Sequence, residues 1–141
     1  MRLVLDTNVV VSAFVWGGTP YKLVQAAVEG EVELVTSPAL LTELRRVLAR
    51  EHLASRLAKQ RSSVEQAIGL YGELAISVSA LSTPRVVARD ADDDHVIAAA
   101  MASGAALVVS GDADLLSLGS HEGIAIVSAA EAVRRLDIGK G

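Results

Sequence analysis

Leu3-Val4-Leu5-Asp6-Thr7-Asn8 is the stretch on which the fold turns. A short apolar run that ends in a carboxylate and leads into a helical pattern reads as the first strand of an α/β sheet. In open sheets of that kind, ligands bind outside the carboxyl ends of the strands, where Asp6 would project. The chemistry then depends on which later residues join Asp6. The candidates are Glu43, Asp94, Asp112 and Asp114.

Working outward, residues 2–5 form the first strand, and Thr7 or Asn8 can cap a short helix through Phe14. Gly17-Gly18-Thr19-Pro20 is a loop, with Thr19 as N-cap and Pro20 at the first helical position. The helix that follows runs to about Glu29 on a stripe of Leu23, Val24, Ala27 and Val28. Val32 to Thr36 is the second strand. Ser37-Pro38 opens a helix whose apolar stripe is Leu40, Leu44, Val47 and Leu48. Two further helical segments fill residues 53–76, with a junction near Ser62-Ser63. Ser82-Thr83-Pro84 breaks the pattern, and residues 85–89 read as extended. Asp92 to Ser103 is a helix stopped by Gly104, and Ala106 to Ser110 is a strand. Gly111 turns the chain into a helix start at Asp112-Ala113-Asp114. Ile124 to Val127 is the last strand, and Ser128 caps a helix through about Leu136. This alternation predicts a single domain over residues 1–141, a three-layer α/β/α sandwich around a central, mainly parallel sheet.

The composition narrows the class. Apolar residues make up 51% of the 141, ample for a core, while aromatics are only 3%. With no cysteine, disulfides and thiolate metal sites are excluded. Arg2 is followed by only three apolar residues before Asp6, which does not make a signal peptide. The longest uncharged stretch, Val96 to Gly111, is shorter than the roughly 20 residues a membrane span needs. The expectation is a cytoplasmic protein with no membrane partner. The net charge of −4 argues against nucleic acid at first sight. Setting the five candidate acids aside, however, takes the 17 acidic residues to 12, against 13 basic ones. Arg45, Arg46, Arg50, Arg56, Lys59 and Arg61 lie close together, with Glu51 as their one counter-charge. The run reads either as a solvated helix face or, beside an acidic metal site, as a phosphate-contacting surface.

The convergence of the acids follows from topology. Asp6 and Asp112 come directly after strands, Glu43 lies in the second turn of the helix after strand two, and Asp94 lies in the first turn of the helix leading to the next strand. All four are predicted at one rim of the sheet. Glu43 lies three residues after Leu40 and four before Val47, and Asp94 precedes Ile97, Ala98 and Met101 by three, four and seven, so both turn inward. Clustered carboxylates repel by roughly 4 kcal/mol per pair at 4 Å and an effective dielectric of 20, so they call for a cation. An oxygen-only donor set suits Mg²⁺ or Mn²⁺. Each acid also has a plainer reading: Asp6 as a turn residue, Asp112 and Asp114 as caps, and Asp90, Asp92, Asp93 and in part Asp94 as helix-dipole partners.

Val4-Leu5-Asp6-Thr7-Asn8-Val9, Ser37-Pro38 through Glu43-Leu44, Asp92-Asp93-Asp94-His95-Val96-Ile97-Ala98 and Ser110-Gly111-Asp112-Ala113-Asp114-Leu115 together resemble the PIN-domain nucleases. Within that family the chain is most similar to the VapC-like toxin components of toxin–antitoxin systems. The resemblance covers nearly the whole chain. It implies a PIN-like α/β/α sandwich and a metal-dependent endoribonuclease using Mg²⁺ or Mn²⁺. Asp6, Glu43, Asp94 and Asp112 match the family's catalytic and metal-holding acids, with Asp114 as a variable fifth. Asn8 and Ser110 match polar positions that order the site. Many VapC relatives carry a basic or amide residue in the last motif, where this chain has Gly111 and two aspartates, so the division of roles between Asp112 and Asp114 stays open. The resemblance also implies an antitoxin protein partner and a homodimer. Candidate RNA contacts are Arg45, Arg46, Arg50 and the aromatic Trp16 beside Gly17-Gly18, which equally suits a partner protein. Two other classes compete: a catalytically silent PIN-fold binding module and a haloacid-dehalogenase-like phosphatase with Asp6 as nucleophile. The phosphatase wants an acid where Asn8 stands and a lysine before the last motif, and none lies between Asp90 and Asp114.

Overall fold

Leu3, Val4 and Leu5 alternate across a strand and are all buried, so this strand is covered on both faces, as parallel sheets require. The computed structural model describes residues 1–79 and 91–136, with only the backbone of 91–93. In chain order the described elements are β1 (Arg2–Leu5), α1 (Thr7–Val15), α2 (Gly18–Val28), β2 (Glu33–Thr36), α3 (Pro38–Leu48), α4 (Glu51–Lys59) and α5 (Val64–Leu74). They continue as β3 (Ile76–Ser77), α6 (Ala91–Ser103), β4 (Leu107–Val109), α7 (Ala113–Leu118), β5 (Ser120–His121), β6 (Ile124–Val127) and α8 (Ala129–Leu136). The expected extended segment 85–89, and Asp90 with it, lies outside the described residues.

The strands form one sheet in the order β3-β2-β1-β4-β6-β5, parallel except for the β5–β6 pair. Leu3 sits beside Leu34 and Leu107, and Val4 beside Val35 and Val108, so like faces align across the strands. Leu3, Leu5, Leu34, Leu107 and Val109 face a core shared with α1, α2, α4, α5 and α8. Val4, Val35, Val108 and Ile126 face α6 and Leu115 of α7. The helix α3 serves both layers, with Leu44, Val47 and Leu48 on one side and Leu40 on the other. The predicted mainly parallel three-layer sandwich is therefore what the chain forms.

Two short strands have no counterpart in the sequence reading. In β3, two residues are too few for a visible alternation. In the β5–β6 hairpin, Glu122 (φ 51°) and Gly123 (φ 80°) both adopt the left-handed conformation that a tight two-residue turn needs. The boundary of α2 also differs. It begins at Gly18 after Gly17, without a side-chain cap from Thr19, and its expected stripe residue Val28 is exposed while Ala26 is buried instead. Met101, expected on the inner face of α6, is exposed too. The first half of that helix is covered by both the sheet and the start of α3, and Met101 lies beyond that second cover. Tyr71 of α5 packs edge-on against Phe14, with its hydroxyl buried and without a hydrogen-bond partner. Among the described residues no helix is long and apolar enough to cross a membrane.

Candidate active site at the carboxyl rim

After β1 the chain steps to β2 on one side, and β4 to β6 extend the sheet on the other, so the strand order reverses between β1 and β4. A crevice opens at such a point outside the strands' carboxyl ends. Asp6 follows β1 there and Ser110 follows β4. The two are joined by a buried hydrogen bond in which the Ser110 hydroxyl donates to Asp6 Oδ2 at 2.8 Å. The ladder runs right up to this pair: the Asp6 amide donates to the Val109 carbonyl at 2.8 Å, and that of Ser110 to Val127 at 2.9 Å.

Asp6 occupies the N-cap of α1, where an aspartate normally accepts from the free amides of the first turn. Here it makes no such bond. Its carboxylate turns to Ser110, so cap strength is given up for a fixed carboxylate at 4% exposure. Neither Thr7 nor Asn8 is the cap. Both lie inside the helix, Thr7 with a buried hydroxyl that has no hydrogen-bond partner and Asn8 exposed.

Ser110 also accepts from the Asp112 amide at 2.9 Å, which ties the start of α7 to Asp6 through one hydroxyl. Asp112 caps that helix. Its Oδ1 accepts from the amides of Asp114 and Leu115 at 2.8 and 3.2 Å, while Oδ2 takes part in neither bond. The plain capping reading of Asp112 is thus correct, and it leaves one oxygen for other work. Asp114 is exposed on the first turn of α7, farther from this linkage.

Asp94 is 1% exposed. Its height follows from the far end of α6, where Arg2 Nη1 donates to the Ser103 carbonyl at 2.9 Å and the Ala106 amide donates to Arg2. That end lies at the amino edge of β1. Nine helical residues from Ser103 back to Asp94 span about 13.5 Å. Four extended residues from Arg2 to Asp6 span about 13 Å. Idealised spans of those lengths direct the first turn of α6, with Asp94, toward the carboxyl edge, and the following Val96 and Ile97 share the core layer of Val4 and Val108. Glu43 is half-buried in the second turn of α3, between buried Leu40 and Leu44.

The donor chemistry fits a hard divalent cation: carboxylates just after β1, on α6 and at the cap of α7, a buried threonine hydroxyl next to Asp6, and neither thiol nor imidazole among them. Among the described residues, no three acidic or histidine side chains already stand together as a cation cage. His95 is half-buried and lines a separate pocket of about 220 Å³ with Ser37, Pro38 and Val78. A second cleft of about 430 Å³ opens directly on the rim, between Asn8, Ser12, Pro20, Ser110, Asp112 and Ser128.

The basic run divides. Arg45, Arg46 and Arg50 are all exposed, on α3 and at the start of α4, and Arg45 is ion-paired with Glu65. Trp16 is 60% exposed, and the Arg56 guanidinium lies over its ring, 4.5 Å from the centroid. That pairing, and the part of Ser12 and Ser128 in the cleft, had no signal in the sequence. They join residues far apart in the chain with no periodicity between them.

Residues 2–114, which include every candidate acid, match the family model described as PIN domain. No curated protein matches the chain. The PIN fold is of nuclease type, its enzymes bind nucleic acid, and they generally use divalent metals. The match spans most of the 141 residues, and the chain belongs to the PIN-domain family.

Proposed function

We propose that this chain is a metal-dependent endoribonuclease, the VapC-like toxin of a toxin–antitoxin pair, working as a homodimer in the cytoplasm. The observation that carries the reading is the buried Ser110–Asp6 hydrogen bond at the strand-order reversal, in a chain that also buries the Asp94 carboxylate. Asp6, Glu43, Asp94 and Asp112 would hold Mg²⁺ or Mn²⁺, with Asp114 at the margin. When bound, the cation supplies Lewis acidity for an attacking water and for the charge that grows on the phosphoryl oxygens.

The chain's own residues supply the rest. Ser110 fixes the Asp6 carboxylate in one orientation and holds the Asp112 backbone beside it. An ionised carboxylate at the rim accepts the proton of the water that attacks the phosphodiester. By family analogy the P–O3′ bond breaks in line with that attack, and the departing 3′-oxygen takes a proton from solvent, leaving 5′-phosphate and 3′-hydroxyl ends. Asn8, exposed at the mouth of the cleft, orders the site or its substrate. Arg46 and Arg50 contact phosphates of the incoming strand. Arg45, exposed beside them and paired with Glu65, is a further candidate contact. The antitoxin would block this rim until it is removed.

The test incubates wild type and Asp6→Asn, each purified free of partner proteins, with structured RNAs and Mg²⁺ or Mn²⁺. Cleavage should need the cation, stop with EDTA and vanish in the folded variant. Equal cleavage by the two proteins overturns the assignment.

A further inference from the structure

We infer that Trp16 is a stacking platform for an unpaired base of single-stranded RNA, one helical turn beyond Ser12, which lines the cleft with Ser110 and Asp112. The inference rests on the ribonuclease reading above and adds to it how the strand is held. Trp16 closes a helix whose preceding residue, Val15, is 1% exposed, yet its own ring is left 60% exposed. Nothing in the core needs that indole.

The ring is nonetheless held in place. The Trp16 backbone amide donates to the Ser12 carbonyl at 2.9 Å, and Gln60 Nε2 donates to the Val15 carbonyl at 2.8 Å, which pins the end of α4 to the end of α1. Arg56 covers one face of the indole. Behind it the chain reverses through Gly17 (φ 78°) and Gly18 (φ 67°), conformations that suit glycine. An aromatic surface ordered in advance loses little freedom when a partner arrives.

Its place and surroundings name the partner. The reversal at Gly17-Gly18 returns the chain so that Pro20 lines the same cleft as Asn8 and Ser12. Trp16 lies one turn beyond Ser12 on the same side of α1. Ten residues separate it from Asp6, at most about 15 Å along the helix, or about four stacked nucleotides at roughly 3.4 Å each. Arg56 lies over it, and the helix that carries Arg56 continues to the exposed Lys59 and, just past its end, the exposed Arg61, with Glu51 the one acid on that helix. An aromatic face amid cations is the arrangement that takes single strands, because every base has a face to stack and every step a phosphate to neutralise. A duplex keeps its base faces covered and cannot use it.

Trp16 is the chain's one tryptophan, so its emission reports on this ring alone. The Asp6→Asn protein, used to keep RNA intact, is titrated with a mixed-sequence single-stranded oligoribonucleotide and with the same strand in a duplex. The single strand should quench the emission and the duplex should not. Trp16→Ala in the same background should weaken single-strand binding about 5- to 150-fold, with Trp16→Phe in between. Arg56→Gln should reduce both quench and affinity, and Arg56→Lys should restore them. Binding with unchanged emission, and equal binding by Trp16→Ala, overturns the platform while RNA cleavage by wild type keeps the nuclease reading intact. Emission that follows protein dilution and ignores RNA assigns the ring to a second copy of the chain and also overturns it. No binding together with no cleavage by wild type sinks the nuclease reading itself.

Discussion

Replacing Ser110 by alanine tests the site at its narrowest point. The side chain is 0% exposed, and its hydroxyl makes two bonds, to Asp6 Oδ2 at 2.8 Å and from the Asp112 amide at 2.9 Å. A hydrogen bond to a charged group contributes about 1.5–3 kcal/mol net, and one between neutral groups about 0.5–1.5 kcal/mol. Ser110→Ala should therefore destabilise the fold by about 2–4 kcal/mol, because both bonds are lost at a fully buried side chain. For a chain of this length that lowers Tm by on the order of 10 °C. The functional loss has a separate origin. A residue that orients a ligand typically accounts for about 10–100-fold in metal affinity or activity. Urea melts give the first quantity. Cleavage rates across a Mn²⁺ titration give the second, taken well below the variant's Tm. Ser110→Thr, which keeps the hydroxyl, should recover part of both. If Ser110→Ala is as stable as wild type and cleaves RNA with the same Mn²⁺ dependence, the hydroxyl orders nothing and the reasoning fails.

Other expectations follow from single contacts. A cation held at 100 times its Kd should add about 2.7 kcal/mol to wild type in a thermal-shift assay, and Asp94→Asn should erase that gain. Burial pushes the Tyr71 phenol well above its ordinary value. Its folded pKa is raised, so its contribution is whole below about pH 10 and is lost as pH climbs, at up to about 1.4 kcal/mol per unit. Tyr71→Phe should remove that alkaline loss, and at neutral pH it should match or exceed wild type in urea melts, since the hydroxyl is buried without a partner. Leu44, 2% exposed, should show a loss of about 2–5 kcal/mol on change to alanine by the same melts. Arg46→Gln with Arg50→Gln should flatten the salt dependence of single-strand binding by about 0.7 in log–log slope per lost phosphate contact. An unchanged slope would remove both from the RNA path.

Much of this was legible in the chain because the signals are local. Three apolar residues before Asp6, the caps at Ser37 and Ser128 and the stripe Leu40-Leu44-Val47-Leu48 set strands and helices at the expected places. Elements that depend on partners were not legible. The two-residue strands β3 and β5 exist only because a neighbour's edge is there to pair with. Val28 and Met101 fit their helical periods and are exposed because the cover they would need is missing at those points.

The sequence by itself determined the alternation of strands and helices, the positions of the acids and the membership of motifs in one family, since period, capping and spacing are properties of neighbouring residues. Only the tertiary structure decided that Asp6 leaves its cap for Ser110, that Asp112 keeps its own, that Asp94 is buried, and that Arg56 settles over Trp16. Those outcomes depend on which carboxyl end lies beside which, and that is set by the order of strands in the sheet, which no local signal carries.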